Sequence, residues 1–225
     1  WLNEKNIPFI SYSSLDIRKR KITGEIISLL NFLDSPTDDL SFATFLLGDI
    51  FTKSLARYSS DVNRERLKEF LFAYKDTPPL YKSFQKEFVE LWGKYFAELF
   101  KSSGFFPLYD LICQIFSVFM VFEIIEDEEA SLVKILEVVK EFEGEGYNNL
   151  RDFLDFAGDG EAGESAWNID VPKSMDAVKV MTIHKAKGLG FPVVIVLLYE
   201  DWHRGFDYIL QEDREGVCLL RITKE

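Results

Sequence analysis

The stretch Val178-Lys179-Val180-Met181-Thr182-Ile183-His184-Lys185-Ala186-Lys187-Gly188-Leu189-Gly190-Phe191-Pro192-Val193-Val194-Ile195-Val196 constrains the fold more than any other part of the chain. Two apolar, largely β-branched runs bracket a loop that carries a hydroxyl, an imidazole, two ammonium groups and two glycines. Val/Ile runs without polar alternation are what a strand covered on both faces requires, so this stretch predicts two buried strands of a mainly parallel sheet in an α/β layer. Ligands of such sheets bind beyond the carboxyl ends of the strands, and residues 182–190 occupy that place. A Thr hydroxyl and the inward-pointing N–H groups of a tight turn suit a phosphate. Lys185 and Lys187 add a salt-sensitive attraction for a polyanion. On residue chemistry alone, the competing account is an ordinary connection with solvated lysines.

The remainder of the chain supplies the context. Ile7-Pro8-Phe9-Ile10 reads as a strand with Pro8 near its start. A polar turn, Ser13-Ser14-Leu15-Asp16, and a basic run, Arg18-Lys19-Arg20-Lys21, come next. Ile22, Ile26, Leu29, Leu30 and Leu33 make one apolar stripe, on a helix that stops before Pro36. The basic run is better read as the solvated start of this helix than as a nucleic-acid patch. Phe84, Phe88, Leu91, Trp92, Tyr95, Phe96 and Leu99 keep helical spacing and predict a single helix with one wide aromatic face. Leu132, Ile135, Leu136, Val139 and Phe142 predict another, and residues 111–122 a third, buried one. Aromatics at this spacing are core before they are base-stacking platforms. Residues 159–165 are acidic and glycine-rich with no apolar anchor, which predicts a mobile linker. Residues 197–202 and 216–223 read as a strand continuation and a further strand of the same sheet.

Charge bears on function only through its placement. The net charge is −12, and residues 123–170 hold 15 acids against Lys134, Lys140 and Arg151, which also sums to −12. The remainder is therefore neutral, and only the acidic segment is closed to DNA by its field, which decays within roughly 10 Å at moderate salt. The longest apolar stretch is too short to span a bilayer, so no membrane partner is expected. Cys113 and Cys218 suggest neither a disulfide framework nor a metal site. The adjacent acids Asp38-Asp39 and Glu200-Asp201 do not share a metal, and His203 beside Trp202 and Arg204 is assigned no chemistry. No G-x-x-x-x-G-K-[ST] occurs, so the chain alone is expected to be unable to hydrolyse ATP. It opens on Trp1 without a secretory leader and closes on Lys224-Glu225, and is read as a fragment of a longer protein.

The string from Val180 to Leu189, followed by Phe191-Pro192-Val193-Val194, resembles motif V of the UvrD/Rep/PcrA and RecB/AddA superfamily-1 DNA helicases, whose usual form is T-x-H-x-x-K-G-L-E-F. Gly190 stands where that family has a glutamate near the ribose, so that carboxylate has no counterpart here. Asn6-Ile7-Pro8-Phe9 and Ser35-Pro36-Thr37-Asp38-Asp39 resemble the strand, turn and helix that come shortly after motif IV. The resemblance implies that Thr182, His184 and Lys185 face single-stranded DNA, and that Lys187, Gly188 and Gly190 lie toward the nucleotide cleft. It implies a mainly helical α/β chain, in which a discontinuous RecA-like parallel-sheet domain called 2A, residues 1–35 and 171–225, is interrupted by an all-α, 2B-like insertion. That insertion would take residues 36–170, with the linker at about 158–168.

The function implied is the second motor half of an ATP-dependent, 3′-to-5′ DNA helicase or translocase, leaning toward the RecB/AddA helicase-nucleases. ATP and magnesium would serve the intact protein, with neither held tightly by the fragment. Expected partners are single-stranded and duplex DNA, a first motor domain in the same polypeptide and a partner protein for nuclease or recombination work. The setting expected is cytoplasmic and nucleoid-associated. The alternative is a non-catalytic helicase-like scaffold whose helices bind a protein partner. Gly190 and the acidic segment favour it.

Overall fold

Apolar residues that recur every three or four positions are buried by packing helix on helix. Most of the chain between residues 21 and 158 does this. The computed structural model describes residues 2–11, 15–58, 61–147, 149–158, 166–170 and 176–197, and the backbone alone of 207–213 and 216–222. The chain divides into two units, Trp1–Lys185 and Ala186–Glu225.

Strand β1 (Phe9–Ser11) precedes helix α1 (Lys21–Asp34), which buries Ile22, Ile26, Leu29, Leu30 and Leu33 and ends at Ser35, ahead of Pro36. Helix α2 (Asp39–Leu46) starts under the Asp38 carboxylate, which accepts the Ser41 N–H at 3.0 Å. The neighbouring Asp39 accepts the Leu80 N–H at 2.7 Å. Each of these two acids therefore caps a helix. Helix α3 (Asp49–Arg57) is capped from a distance, since the buried Glu25 accepts the Ile50 N–H at 2.8 Å. Gly48 lets that carboxylate approach, because a Cβ there would lie 2.6 Å from it.

After α4 (Arg64–Tyr74) comes the aromatic stretch, and the structure breaks the single helix expected there. It runs as α5 (Leu80–Glu87), α6 (Val89–Leu91), a π-helical turn at Trp92–Phe96, and α7 (Ala97–Ser102). Tyr95 and Phe96, neighbours on the wider π turn, are both at most 1% exposed. Phe96 meets Phe84 edge-on at 5.7 Å and Phe42 at 5.5 Å. Helices α8 (Leu108–Phe119) and α9 (Val121–Ile124) carry the apolar stretch of residues 111–122, with a left-handed residue, Met120, between them. Helix α10 (Glu129–Gly144) buries Leu132, Ile135, Val138, Val139 and Phe142, and α11 (Leu150–Gly158) contributes Phe153.

Helix α1 packs on α2, α3, α10 and α11, so it belongs to the helical core. Helix α1 ends at Asp34, next to the boundary expected at residue 35. The expected linker, residues 159–165, lies outside the described residues, and the stretch just beyond it is anchored. Trp167 is 0% exposed, with ring centroids 5.8 Å from Phe156 and 6.0 Å from Phe153. Its carbonyl accepts the Ile17 N–H, the Ile169 N–H donates to the Leu15 carbonyl, and Asp16 bridges Asn168. Lys134, itself buried, reaches Glu137 at 3.2 Å and Asp170 at 3.6 Å.

Strand β2 (Val178–Val180) pairs in parallel with β1, in the register Phe9 with Val178, Ile10 with Lys179 and Ser11 with Val180. A one-turn helix, α12 (Ile183–Ala186), follows. In the second unit β3 (Asp207–Asp213) and β4 (Gly216–Ile222) form an antiparallel hairpin. The expected strand at 216–223 thus pairs with β3 in a separate two-stranded sheet. Burial on both faces is also overturned. Val178 and Val180 are 44% and 42% exposed, and residues 193–197 are 59–83% exposed and form no strand. Strand geometry requires a hydrogen-bonded neighbour, and none of the described residues provides one for 193–197. The expectations at Ser13, Ser14, Glu200-Asp201, Trp202, His203 and Arg204 fall outside the described residues.

Candidate functional site

Because β1 and β2 run parallel, their carboxyl ends emerge on the same side, and the chain beyond each leaves from that edge. Ser11 closes β1 and Met181-Thr182 follows β2. Sequence reasoning did not single out Ser11. The available signal was its place at the end of an apolar run, leading into a hydroxyl-rich turn.

Thr182 stands one residue before α12, and its Oγ1 accepts the Lys185 N–H at 3.4 Å. It acts as the N-cap of that single turn, which explains why Thr suits the position. With its oxygen accepting, the hydroxyl keeps its proton for an outside acceptor. Thr182 and His184 are exposed and Lys185 is half-buried. Ile183 lies between them, 75% exposed. The structure thus joins Thr182 to Lys185 directly and places His184 on the same turn.

In the second unit Lys187, Gly188 and Gly190 are exposed. Gly188 has φ +81°, the left-handed conformation that commonly ends a helix and that glycine adopts without penalty. The Leu189 N–H returns to the Ala186 carbonyl at 3.0 Å. Around Gly190 there is open space, with nothing described within 4 Å of where a Cβ would stand. A nucleotide here would meet one ammonium group and bare backbone. That fits the phosphate end of such a ligand. The clefts lined by Leu33 to Leu150 and by Tyr58 to Tyr95 include no residue from 176–197.

The basic run lies at the start of α1, where Arg18, Arg20 and Lys21 hold acidic partners. Arg18 grips Asp16 through Nη2–Oδ2 at 3.0 Å and Nε–Oδ1 at 3.1 Å, and its guanidinium sits 5.9 Å from the Trp167 ring centroid. Burial alone would raise the Asp16 carboxyl, but the side-chain and backbone hydrogen bonds from Arg18 and its charge together hold it below the usual range. Arg20 faces Glu128 at 3.5 Å. Lys21 lies 2.8 Å from Asp49, and its hydrogen bond holds that carboxyl below the usual range despite partial burial. Asp16, Arg18 and Trp167 form a clamp that the sequence reading missed. Its signal was a lone Trp immediately after an acidic glycine-rich stretch.

The family model for the UvrD-like helicase C-terminal domain matches residues 51–203, more than half of the chain, including the helical core from α3 onward and the turn after β2. This chain belongs to that family. Among curated relatives, the UvrD-like chain is similar to the A subunit of the ATP-dependent helicase/nuclease from Lactobacillus helveticus (strain DPC 4571). The two are 25% identical over 215 residues, covering 88% of this chain and 18% of that protein. The protein of the same name from Streptococcus pyogenes serotype M3 (strain ATCC BAA-595 / MGAS315) is 27% identical over 190 residues, 76% of this chain and 16% of its own length. For serotype M28 (strain MGAS6180) the figures are 27% over 214 residues, 87% and 18%. The chain therefore spans less than a fifth of the length of these relatives. Mainly helical architecture with a small parallel pair of strands accords with the UvrD-like family. Among the described residues, no helix is long and apolar enough to cross a membrane.

Proposed function

We propose that this UvrD-like chain is the second motor half of an ATP-dependent DNA helicase of the AddA helicase/nuclease type. In this reading Thr182, His184 and Lys185 hold the backbone of single-stranded DNA. Lys187, Gly188 and Gly190 line the far side of an ATP cleft completed by a first motor domain in the same polypeptide. One observation carries the reading. Residues 9–11 and 178–180, at opposite ends of the helical region, pair in parallel, which sets the motif-bearing turn at the carboxyl edge where α/β sheets bind ligands. The names and lengths of the relatives support the helicase/nuclease type and a longer polypeptide. A soluble setting beside the nucleoid, duplex DNA as substrate and a partner protein for nuclease or recombination work complete the proposal. Magnesium-bound ATP is the fuel.

The mechanism follows from the exposed turn. The Thr182 hydroxyl donates to a phosphate oxygen while its own oxygen stays bonded to the Lys185 N–H, so the turn is preorganised before DNA arrives. His184 and the lysines contribute contacts that do not depend on base identity. ATP hydrolysis requires groups outside this chain, since it contains no phosphate-cradling P-loop motif.

Fluorescence anisotropy with a labelled oligo(dT) tests the DNA arm. The Thr182→Ala/His184→Ala variant should lose about 1–3 kcal/mol of binding, the range for hydrogen bonds to charged groups and their loss. Unchanged affinity would sink the assignment. Gly190 also favours the scaffold reading, which the Gly190→Glu variant separates. The side chain has room there, and in the intact protein tighter ATP binding supports a working cleft.

A further inference from the structure

Two strands make the edge that carries the DNA-facing turn, yet Thr182, His184 and Lys185 all follow one of them, β2. The other, β1, ends on Ser11, which is half-buried and lies in register with Val180. Neighbouring strands run about 4.8 Å apart. Ser11 therefore stands beside Val180, two residues before Thr182, on the side from which the chain leaves both strands.

Strand alternation fixes the face. Successive side chains of a strand point to opposite faces, and partners in register share one. Phe9, Ser11, Val178 and Val180 thus lie on one side of the pair, with Ile10 on the other. Burial agrees, since Ile10 is buried whereas Phe9, Val178 and Val180 are exposed. Ser11 is the polar member of that otherwise apolar row and sits at its carboxyl end, where ligands of parallel sheets bind. Proteins hold DNA largely through its backbone, and Ser and Thr hydroxyls are among the donors. A hydroxyl can accept a bond within the protein while its proton goes to a phosphate. A linear polyanion laid across the two strand ends passes Ser11 as well as Thr182.

We infer that the Ser11 hydroxyl is a further contact to the backbone of single-stranded DNA, made from the strand beside the one that carries the motif turn. This rests on the motor reading, in which Thr182, His184 and Lys185 hold the same DNA. Ser11 brings no charge, so it positions the backbone without adding salt-dependent attraction.

The test is fluorescence anisotropy of labelled oligo(dT) and oligo(dA) with the intact protein, as wild type, Ser11→Ala, Ser11→Thr and Thr182→Ala/His184→Ala. Ser11→Ala should bind both oligonucleotides about two- to tenfold more weakly, and by the same factor, as loss of one backbone hydrogen bond predicts. Its slope of log affinity against log salt should match that of the wild type, because no cation is lost. Ser11→Thr keeps the hydroxyl, suits a strand, and should restore wild-type binding. Wild-type affinity in Ser11→Ala beside weakened binding in Thr182→Ala/His184→Ala overturns the inference and leaves the motor reading standing. Undiminished binding in every variant overturns both. A Ser11→Thr variant as weak as Ser11→Ala also overturns the inference, since the residue then acts through packing. So does a loss confined to one oligonucleotide, which a base contact would give.

Discussion

The helical core and the motif-bearing stretch treat equally apolar residues in opposite ways. In the core, Phe42, Phe51, Phe84, Phe96 and Phe119 are at 0% exposure and touch one another edge-on. In residues 193–197, a run just as apolar stays 59–83% exposed. The difference lies in how each kind of element finds its partners. An amphipathic helix closes its own hydrogen bonds and needs only a neighbouring stripe, which adjacent helices in the chain supply. A strand needs neighbours for its backbone as well as a cover for each face, and those come from wherever the chain provides them. The helical core closes within the described residues, whereas the apolar run at 193–197 stays exposed among them.

The sharpest way to break this comparison is one truncation in each region. Trp167→Ala should cost about 3–5 kcal/mol in urea unfolding, the range for large-to-small changes at buried aromatics. Ile195→Ala, at 83% exposure, should cost under about 0.5 kcal/mol, as exposed substitutions do. A cost for Ile195→Ala comparable to that of Trp167→Ala would mean that the run is covered in solution.

The Asp16–Arg18 clamp sharpens the contrast at the next level. Asp16 is 3% exposed, and Asp16→Ala should cost about 1–3 kcal/mol, because it removes the two carboxylate hydrogen bonds to the Arg18 guanidinium. The sign of the pH effect follows from the lowered carboxyl. A carboxyl more acidic folded than unfolded contributes its stability in full above the unfolded value, and loses it as pH falls through the folded value. Acid titration of unfolding should therefore show a steeper loss below the ordinary Asp range in wild type than in Asp16→Asn. Equal slopes would remove Asp16 from the account.

The smallest effect concerns two glycines in the motif. Gly188→Ala places a side chain at φ +81°, and should cost about 1–2 kcal/mol locally. Hydrogen exchange of the Leu189 amide, which reports the bond to Ala186, should accelerate about five- to thirtyfold, the factor those energies imply. Gly190→Ala, with open space around it, should leave that amide unchanged. Equal acceleration by both would indicate that the turn's conformation does not depend on Gly188.

Much of the helical core was legible because helical periodicity is a local property. The stripe of α1, its stop before Pro36 and the buried face of α10 follow from residues a few positions apart. Periodicity alone read residues 84–99 as one continuous helix, and the break after Glu87 and the π turn at Trp92–Phe96 came only from the structure. The motif's residue types were equally legible, but the role of Thr182 as a cap required the backbone of α12.

By itself, the sequence determined the helical class, the positions of most helices and the place of the polar turn between two apolar runs. These depend on side-chain chemistry over short distances. The family resemblance already joined the first and last segments in one sheet; tertiary structure supplied the register of β1 on β2, and it alone decided that Trp167 and Arg18 anchor the return of the chain and that the hairpin of β3 and β4 forms its own sheet. Each of these joins residues that no local pattern links. The free energy that selects such pairings comes from burial and backbone hydrogen bonds formed only once the chain has closed on itself.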